Sequence, residues 1–398
     1  MFENILGQPA AVQTLSQNLE AGEVPRSLLF YGEPYTGKLS TALELARVLT
    51  CEQGSAAWNC SCASCGLHRV LLHPGTIMMG PRYFMRDITA AGDVLKRHPK
   101  PIAQYLYLRA MRKLLRRLDP LLWEGNEQKL KKISDAYSSL EDNLELIHPA
   151  RSLPEEKKLV KLLDENRNNA EKICASGLLD SVSIDNIRKV TYWAHTTSQG
   201  YNKIIILEHA DRLLESARNA FLKILEEPPS GVYFILLTTN RQGVIDTILS
   251  RVRSLYFMQR TAETSGLVIE KIFRDNPENF KTLAQYFETW EDVNAEELNA
   301  IARRWLRLLL HEKDALAADR ELENIITQLA RKDLSSRFIV KFTEQLRLSL
   351  SGEADQVPLG TQERWLEIIR RGASRMEVFH QNPQLVFSSM FSEMKVQA

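Results

Sequence analysis

A short segment near the N-terminus has a residue spacing typical of phosphate binding. Gly32, Gly37 and Lys38 fit the pattern Gly-x4-Gly-Lys, and they directly follow the apolar run Ser27–Tyr31. Glycines let backbone N–H groups turn toward an anion, a following helix N-terminus favours negative charge, and the lysine reaches terminal phosphates. We therefore predict a nucleotide-phosphate site, whose contacts would be Gly32, Thr36, Gly37 and Lys38.

The positions expected to handle magnesium depart from this pattern. A hydroxyl is expected directly after the lysine, but Leu39 stands there, and Ser40 is rotated by about 100° on a helix. At the end of a second apolar run, Lys203–Leu207, Glu208 stands where an acidic residue would bind Mg²⁺. His209 stands where a glutamate would activate water. The sequence therefore predicts a degenerate ATP site, with Ser40 and Glu208 as remaining contacts, that does not favour ATP/Mg²⁺ binding or hydrolysis.

Four of the five cysteines fall close together, at Cys51, Cys60, Cys62 and Cys65. In a reducing compartment such a cluster is more typical of a metal site than of disulfides. Four thiolates bind zinc tetrahedrally and leave no open position for catalysis. We predict a structural Zn²⁺ site on these four residues. Two alternatives stay open, a mixed site in which His68 replaces one thiolate and no metal at all.

Composition limits the class of protein. The 398 residues are 44% hydrophobic and 25% charged, as in soluble globular proteins. The net charge of only +1 predicts that the molecule as a whole does not attract nucleic acid electrostatically. The sequence has no run of 18 apolar residues and no signal-peptide pattern at its start, so we expect a cytoplasmic protein with no membrane span. The longest polar linker candidate is 351–356.

Strand and helix patterns alternate around the predicted nucleotide site. Ser27–Tyr31, Lys203–Leu207 and Tyr233–Leu237 are typical of buried strands, and helical periods cover Leu39–Leu49 and Ser216–Leu225. Strands separated by helices predict a parallel sheet with crossover helices. The predicted fold class is therefore α/β, followed from about residue 258 by helical periods only.

A segment of about a hundred residues, 77–178, interrupts this alternation. Apolar residues recur at steps of three and four over 102–123 and 127–147, which predicts two helices. Ser152 and Glu155 fit a capping box that would start a third helix. We predict a helical insertion that forms a small bundle or an antiparallel coiled coil.

Two basic runs lie in this insertion, at 112–117 and 129–132. One interpretation is a contact with DNA or with a partner. The favoured interpretation is the solvated face of an amphipathic helix, because charge runs usually have that role. We assign the insertion no function from its sequence.

Several motifs resemble the clamp-loader branch of the AAA+ ATPases. They are Phe2-x-x-Ile5-x-Gly7-Gln8, Asn219–Pro229, Thr238–Asn240, Ile248–Arg251 and Asn382–Leu385. The resemblance covers 1–75 and 180–258 well and the C-terminal region weakly. It implies that Thr239 belongs to a nucleotide sensor and that Arg251 is an arginine finger, acting in the ATP site of a neighbouring subunit. From the residues alone, Arg251 could equally be a surface arginine in a salt bridge.

The resemblance also implies an architecture. An α/β AAA+ P-loop domain would span 1–257, with a zinc module at about 50–68 and the helical insertion. An all-α lid would follow over 258–300, and an all-α collar for oligomerisation over 301–398. The family's zinc module has the spacing Cys-x8-Cys-x2-Cys-x2-Cys, whereas in this chain one residue separates the second and third cysteines.

Within this family, Leu39 and His209 together with an intact Ser250-Arg251 favour the delta-prime type of DNA polymerase III clamp-loader subunit. The resemblance implies a stator without ATPase activity of its own, in a hetero-pentamer with gamma/tau and delta subunits. That complex would load the sliding clamp on primed DNA in replication. The alternatives are an ATP-hydrolysing gamma/tau-type subunit and a non-replicative scaffold that kept the AAA+ fold.

Overall fold

The computed structural model describes residues 1–54, 56–197, 200–290, 293, 295–310, 315–330, 332–349, 357–377 and 381–397. The chain divides into two units, Met1–Trp290 and Glu291–Ala398. The linker predicted over 351–356 lies outside the described residues. Within the described parts of the chain, none of the helices is long and apolar enough to cross a membrane.

A parallel sheet forms the centre of the first unit. Its described strands are β1 (Ser27–Tyr31), β2 (Thr76–Met79), β3 (Lys203–Glu208), β4 (Val232–Thr238) and β5 (Arg253–Tyr256). Their order across the sheet is β2-β3-β4-β1-β5, and every neighbouring pair is parallel. The three predicted strands and their parallel arrangement are confirmed. The edge strands β2 and β5 were not predicted, because four residues are too few for a recognisable period.

Helices surround this sheet and form a separate layer beside it. In the first unit they are α1 (Pro9–Glu20), α2 (Lys38–Leu49), α3 (Ala63–Arg69), α4 (Met85–Arg97), α5 (Pro101–Leu115), α6 (Pro120–Trp123), α7 (Glu127–Leu130), α8 (Ser134–Leu146), α9 (Glu156–Ala175), α10 (Ile184–His195), α11 (Glu215–Glu226), α12 (Asp246–Leu249), α13 (Ala262–Val268) and α14 (Leu283–Glu288). Alternate strand residues face opposite sides of the sheet. Leu28 and Phe30 pack with α1 and α2, whereas Leu29 and Phe234 pack with α10 and α11.

The predicted insertion is a helical bundle with its own apolar core, to which α4, α5, α8 and α9 contribute. Its boundaries differ from the prediction, because residues 77–79 belong to β2 of the sheet and the helix predicted over 127–147 is divided into α7 and α8. The helix predicted over 102–123 breaks at Asp119, whose backbone is extended because it precedes Pro120. The predicted capping box is wrong, since α9 begins after Glu155. A cap at Ser152 would have placed Leu153, which precedes a proline, in a helical conformation.

The basic run at 112–117 faces inward. Arg112 and Arg117 are buried, and Arg112 donates to the carbonyl oxygen of Val70 at 2.9 Å. Arg109 donates to the carbonyl of His68 at 3.0 Å, so α5 supplies donors to the last carbonyls of α3. The solvated-face interpretation is therefore wrong for this run, because Arg112 and Arg117 contact the protein interior. The second run, at 129–132, is solvent-exposed as expected.

The second unit is helical. Its described helices are α15 (Ala295–Leu310), α16 (Ala315–Leu329), α17 (Lys332–Leu348), α18 (Leu359–Glu377) and α19 (Pro383–Val396). Trp305 packs edge-on against Phe338 and Phe387 in its core. The Asn382–Leu385 motif starts a helix, because the Asn382 side chain accepts from the N–H of Gln384 at 2.8 Å and a proline occupies the first turn.

The predicted lid, 258–300, is divided between the two units. Phe273, Tyr286 and Phe287 pack in the first unit, against the core of the insertion bundle. Helix α15, which begins at Ala295, lies in the second unit. A lid that is a domain of its own, and a collar that begins at residue 301, stay predictions.

Candidate functional site

The predicted phosphate-binding loop connects β1 to α2. Gly37 has φ of 95° and precedes the first turn of α2. Gly32 has φ of 143°, and a Cβ atom there would lie 2.2 Å from the carbonyl oxygen of Phe257. Both positions favour glycine, because residues with a side chain rarely adopt positive φ values. At Gly32 there is also no room for a Cβ atom.

The ammonium group of Lys38 is turned back into this loop. Its Nζ donates to the carbonyl oxygens of Gly32 at 2.7 Å and Glu33 at 2.6 Å, and to Oγ1 of Thr36 at 3.1 Å. Burial lowers the pKa of Lys38 to about 8, against the opposing effect of the Glu33 and Glu208 carboxylates. The structure thus brings Gly32, Thr36 and Lys38 together as predicted. A bound phosphate would have to replace the loop carbonyls as partner of the ammonium group.

The loop lacks the hydroxyl that a magnesium ion would require. Leu39 is buried in the core between α1, α2 and the sheet. Ser40 is exposed, and the neighbouring Thr41 donates its hydroxyl to the carbonyl of Gly37 at 3.1 Å. Ser40 as a nucleotide contact stays a prediction.

Glu208 ends β3, and two arginines bind its carboxylate. Nη1 of Arg82 lies 2.8 Å from Oε2, and Nη2 of Arg117 pairs with Oε1. The side chains of Glu208 and Arg117 are only 7% and 2% exposed. Burial acts to raise the pKa of Glu208, but Arg82 and Arg117 outweigh it and hold the pKa below its ordinary value. Both carboxylate oxygens are therefore already engaged by cations.

Two more charges extend this arrangement. Arg82 also pairs with Asp87 at 2.7 Å, and Lys113 lies 3.3 Å from the same carboxylate oxygen. We call Arg82, Asp87, Lys113, Arg117 and Glu208 the Glu208 cluster. Sequence reasoning missed four of its five members, because no local pattern pairs residues as distant as Arg117 and Glu208, which are 91 positions apart.

Two further residues considered in the sequence, His209 at the expected position of the catalytic base and Thr239 as a nucleotide contact, directly follow β3 and β4. His209 has φ of 53°, and its buried Nδ1 has no hydrogen-bond partner among the described residues. Thr239 is exposed directly after β4. Its neighbour Thr238 is buried and donates its hydroxyl to Oδ1 of Asp211 at 2.5 Å. A nucleotide contact by Thr239 stays a prediction.

Arg251 lies in a surface cleft of about 460 Å³, whose lining includes Arg26 and Arg253. Its guanidinium group donates to Oε1 of Glu226, at 3.1 Å from Nε, and to the carbonyl of Thr247 at 2.7 Å. The side chain is still 30% exposed. In the chain by itself, Arg251 is therefore a surface arginine in a salt bridge that remains accessible to a partner.

The four predicted zinc ligands come together. Their Sγ atoms all lie within 4.8 Å of one another, and those of Cys51 and Cys60 are 3.7 Å apart. A tetrahedral zinc ion with Zn–S distances of about 2.3 Å requires S–S distances of about 3.8 Å. Cys60, Cys62 and Cys65 are buried. The residues therefore fit one structural zinc ion, and the single residue between Cys60 and Cys62 does not prevent this convergence.

The surroundings shift the pKa values of two of the cysteines in opposite directions, and the nearby histidine is engaged elsewhere. Burial opposes ionisation of Cys62, but the backbone N–H groups of Cys65 and Glu52 lower its pKa to about 7. Burial raises the pKa of Cys65 to about 12, so this thiol keeps its proton when no metal is bound. Binding of a metal ion would release that proton. His68 lies outside the group: its Nε2 is 2.7 Å from Oγ1 of Thr50, and its ring stacks on His73.

Comparison with known proteins places this chain among replication proteins. Residues 7–88 and 127–261 match a family model described as DNA polymerase III, delta subunit. The chain is 37% identical over 65 residues to the delta' subunit of DNA polymerase III from Bacillus subtilis, which covers 16% of this chain and 20% of that protein. It is 41% identical over 68 residues to a DNA polymerase III gamma subunit from Buchnera aphidicola subsp. Baizongia pistaciae, 17% of each chain. The matched stretches thus span about a fifth of these curated relatives.

Among solved structures, a DNA polymerase III gamma subunit-related protein from Thermotoga maritima aligns with 55% of this chain and 80% of its own. The sequence identity is 20% and the TM-score is 0.28.

The family match includes every predicted site. Its first stretch contains the phosphate-binding loop and the four cysteines, and its second contains Glu208 and Arg251. The unmatched interval, 89–126, lies within the helical insertion. Because the matched residues make up more than half of the sequence, the chain belongs to the DNA polymerase III delta subunit family.

Proposed function

We propose that this chain is a delta-prime-type subunit of the DNA polymerase III clamp loader, which supplies Arg251 to the ATP site of a neighbouring subunit. One contrast carries the proposal. The chain's own loop has the buried Leu39 where a magnesium ligand is needed, while Arg251 lies in an open cleft. A subunit with this pair of features would act on a neighbour's nucleotide rather than on its own.

The chemistry of Arg251 follows from its present partner. A guanidinium group binds carboxylate and phosphate oxygens with the same planar fork. Glu226 accepts from Nε and Nη2 in the chain by itself, and its side chain is half exposed. We expect Arg251 to exchange this carboxylate for the terminal phosphate of a neighbour's ATP. There it would stabilise charge on the transferring phosphoryl group.

The remaining parts would have supporting roles. Zinc held by the four cysteines would cross-link the loop at 50–68, since four protein ligands leave no position for a substrate. The helical second unit would form the collar of a hetero-pentamer with gamma/tau and delta subunits. The assembled complex would load the sliding clamp on primed DNA in the cytoplasm. The ATP-hydrolysing gamma/tau type and a non-replicative scaffold are the alternatives that an experiment has to separate.

Clamp- and DNA-stimulated ATP hydrolysis tests the proposal. The assay compares the chain alone, the chain with partner loader subunits, and the same complex with Arg251→Ala or Arg253→Ala. Arg253 is a matched control, because it lines the same cleft and is exposed. We expect the chain alone to be inert, the complex to be active, and only Arg251→Ala to remove the stimulation. Hydrolysis by the chain alone with an unaffected Arg251→Ala complex would favour the gamma/tau type, and failure to complete a complex would favour the scaffold.

A further inference from the structure

The Glu208 cluster supplies ion pairs where a nucleotide site would need a metal. Magnesium requires oxygen ligands in near-octahedral geometry and usually keeps several waters. At Glu208, both oxygens instead accept from guanidinium groups, one from Arg82 and one from Arg117. Since Leu39 offers no hydroxyl, this geometry does not fit Mg²⁺. Two guanidinium groups carry the same total charge as one magnesium ion, so the carboxylate is neutralised without the metal.

Arg117 is held firmly in this position. Its Nη1 donates to the carbonyl of Lys113 at 2.9 Å, and its guanidinium group lies over the ring of Phe84, 5.5 Å from the centroid. Its own carbonyl accepts from Nε1 of Trp123 at 3.0 Å. These contacts come from both sides of Arg117 along the chain, and its side chain is almost fully buried. Removal of Arg117 from Glu208 would therefore require the insertion to move.

The origin of the two arginines suggests what the insertion does. Arg82 lies in the part of the chain that matches the family, whereas Arg117 lies in the unmatched interval 89–126. Arg117 belongs to the turn at 116–118, which packs on β2, and it pairs with Glu208 at the end of β3. Lys113 lies just before this turn, near the end of α5, and pairs with Asp87. We propose that Arg82 and Arg117 take the place of Mg²⁺ at Glu208, and that the resulting ion cluster docks the helical insertion on the sheet and closes the chain's own site to Mg²⁺-ATP. This inference rests on the proposed function only in treating the loop at 32–38 as a former nucleotide site.

Binding of ATP to the full wild-type chain is the first test. Fluorescently labelled ATP is titrated with the chain in the presence of Mg²⁺ and in its absence. We expect that magnesium does not strengthen ATP binding and that binding does not saturate at ATP concentrations up to roughly 1 mM, the upper end of the range in which enzymes usually bind their substrates. Magnesium-dependent binding would overturn the inference. It would leave the Arg251 proposal intact, because that proposal is tested in the assembled complex.

Thermal unfolding of charge variants is the second test. Glu208→Gln leaves the buried Arg117 without its carboxylate partner, and we expect the unfolding midpoint to fall by roughly 10 °C. Arg117→Gln leaves Glu208 paired with Arg82 alone, and we expect a fall in the same direction. Glu227→Gln, at an exposed glutamate, is the matched control and should shift it by less than about 1 °C. The double variant of Glu208 and Arg117 should lose clearly less than the sum of the single losses. Additive losses, or a Glu208→Gln chain as stable as the control, would refute the cluster's role.

Amide hydrogen exchange shows which part of the chain the Glu208 cluster holds in place. It uses a milder variant, in case Glu208→Gln or Arg117→Gln does not fold. Arg82→Gln changes a side chain that is 25% exposed, so we expect a folded protein with a smaller loss. In this variant, amides of 101–118 should exchange at least several-fold faster, while amides of α17 in the second unit should be unchanged. Equal exchange of 101–118 in Arg82→Gln and the wild type would show that the cluster does not dock the insertion.

Discussion

Replacement of Arg47 with methionine is expected to destabilise the first unit and weaken zinc binding together. The Arg47 side chain is 1% exposed and bonds to four groups at once. It pairs with Glu44 at 2.6 Å, and donates to the carbonyls of Ala56 and Ala57 at 2.6 and 3.0 Å. Its Nη1 also donates to Sγ of Cys65 at 3.2 Å. One guanidinium group thus connects α2 to the cysteine loop and to one of the four candidate zinc ligands.

The magnitude follows from these contacts. Loss of one partner of a buried ion pair costs about 3–5 kcal/mol, and the Glu44 side chain is only 2% exposed. Two carbonyl groups also lose a charged donor, at about 1–3 kcal/mol each if they stay buried. Water can reach a relaxed loop, so we expect a loss of about 4–5 kcal/mol in the free energy of unfolding. Loss of the hydrogen bond to a zinc ligand should weaken zinc binding by about 10- to 100-fold.

Two measurements check this prediction. Urea denaturation followed by circular dichroism gives the free energy of unfolding, and competition with a coloured chelator gives the zinc affinity. Arg188→Met is the control, because Arg188 is 68% exposed and 3.8 Å from its partner Asp185, so its loss should cost less than about 1 kcal/mol. Glu44→Gln combined with Arg47→Met should recover part of the stability, since no unpaired charge remains.

Two results would refute the reasoning. If Arg47→Met is as stable as Arg188→Met, the buried pair contributes nothing measurable. If stability falls but zinc affinity does not, the contact with Cys65 has no role in holding the metal. In the first case the connection between α2 and the cysteine loop would have to come from apolar packing.

Three further predictions concern the zinc content, the loop at 32–38 and the stability of the protein in acid. Cys65→Ser should lower zinc, by metal analysis, from about one equivalent per chain to less than about half. Gly32→Ala should lower the unfolding midpoint far more than Gly22→Ala, because both have positive φ but only Gly32 lacks room for a Cβ. Burial acts to raise the pKa of Asp87 and of Glu208, but neighbouring cationic side chains outweigh it and hold both pKa values below their ordinary range. Their stabilisation is full above pH about 4, the unfolded pKa, and urea titrations should show its loss below that pH.

Local features of this protein were readable from its sequence. The pattern from Gly32 to Lys38 depends on neighbouring residues only, and so does the cysteine cluster, whose four members lie within one short segment. Buried central strands were also predictable, because β1, β3 and β4 are continuous apolar runs. Each of these patterns arises from an interaction between near neighbours or from burial of a whole apolar run. Both causes determine which residue types occur in a short stretch of sequence.

Partners that are distant along the chain were not predictable. Arg112 and Arg117 belong to a run of charges that local reasoning places in solvent, yet the fold buries both. A buried arginine is stable only where a specific acceptor meets it, and such acceptors, Glu208 and the carbonyl of Val70, come from other elements. The sequence alone determined the loop, the cysteine set and the parallel sheet. The tertiary structure decided that Glu208 binds arginines instead of metal, because only the packing of the turn at 116–118 against β2 brings Arg117 to the end of β3.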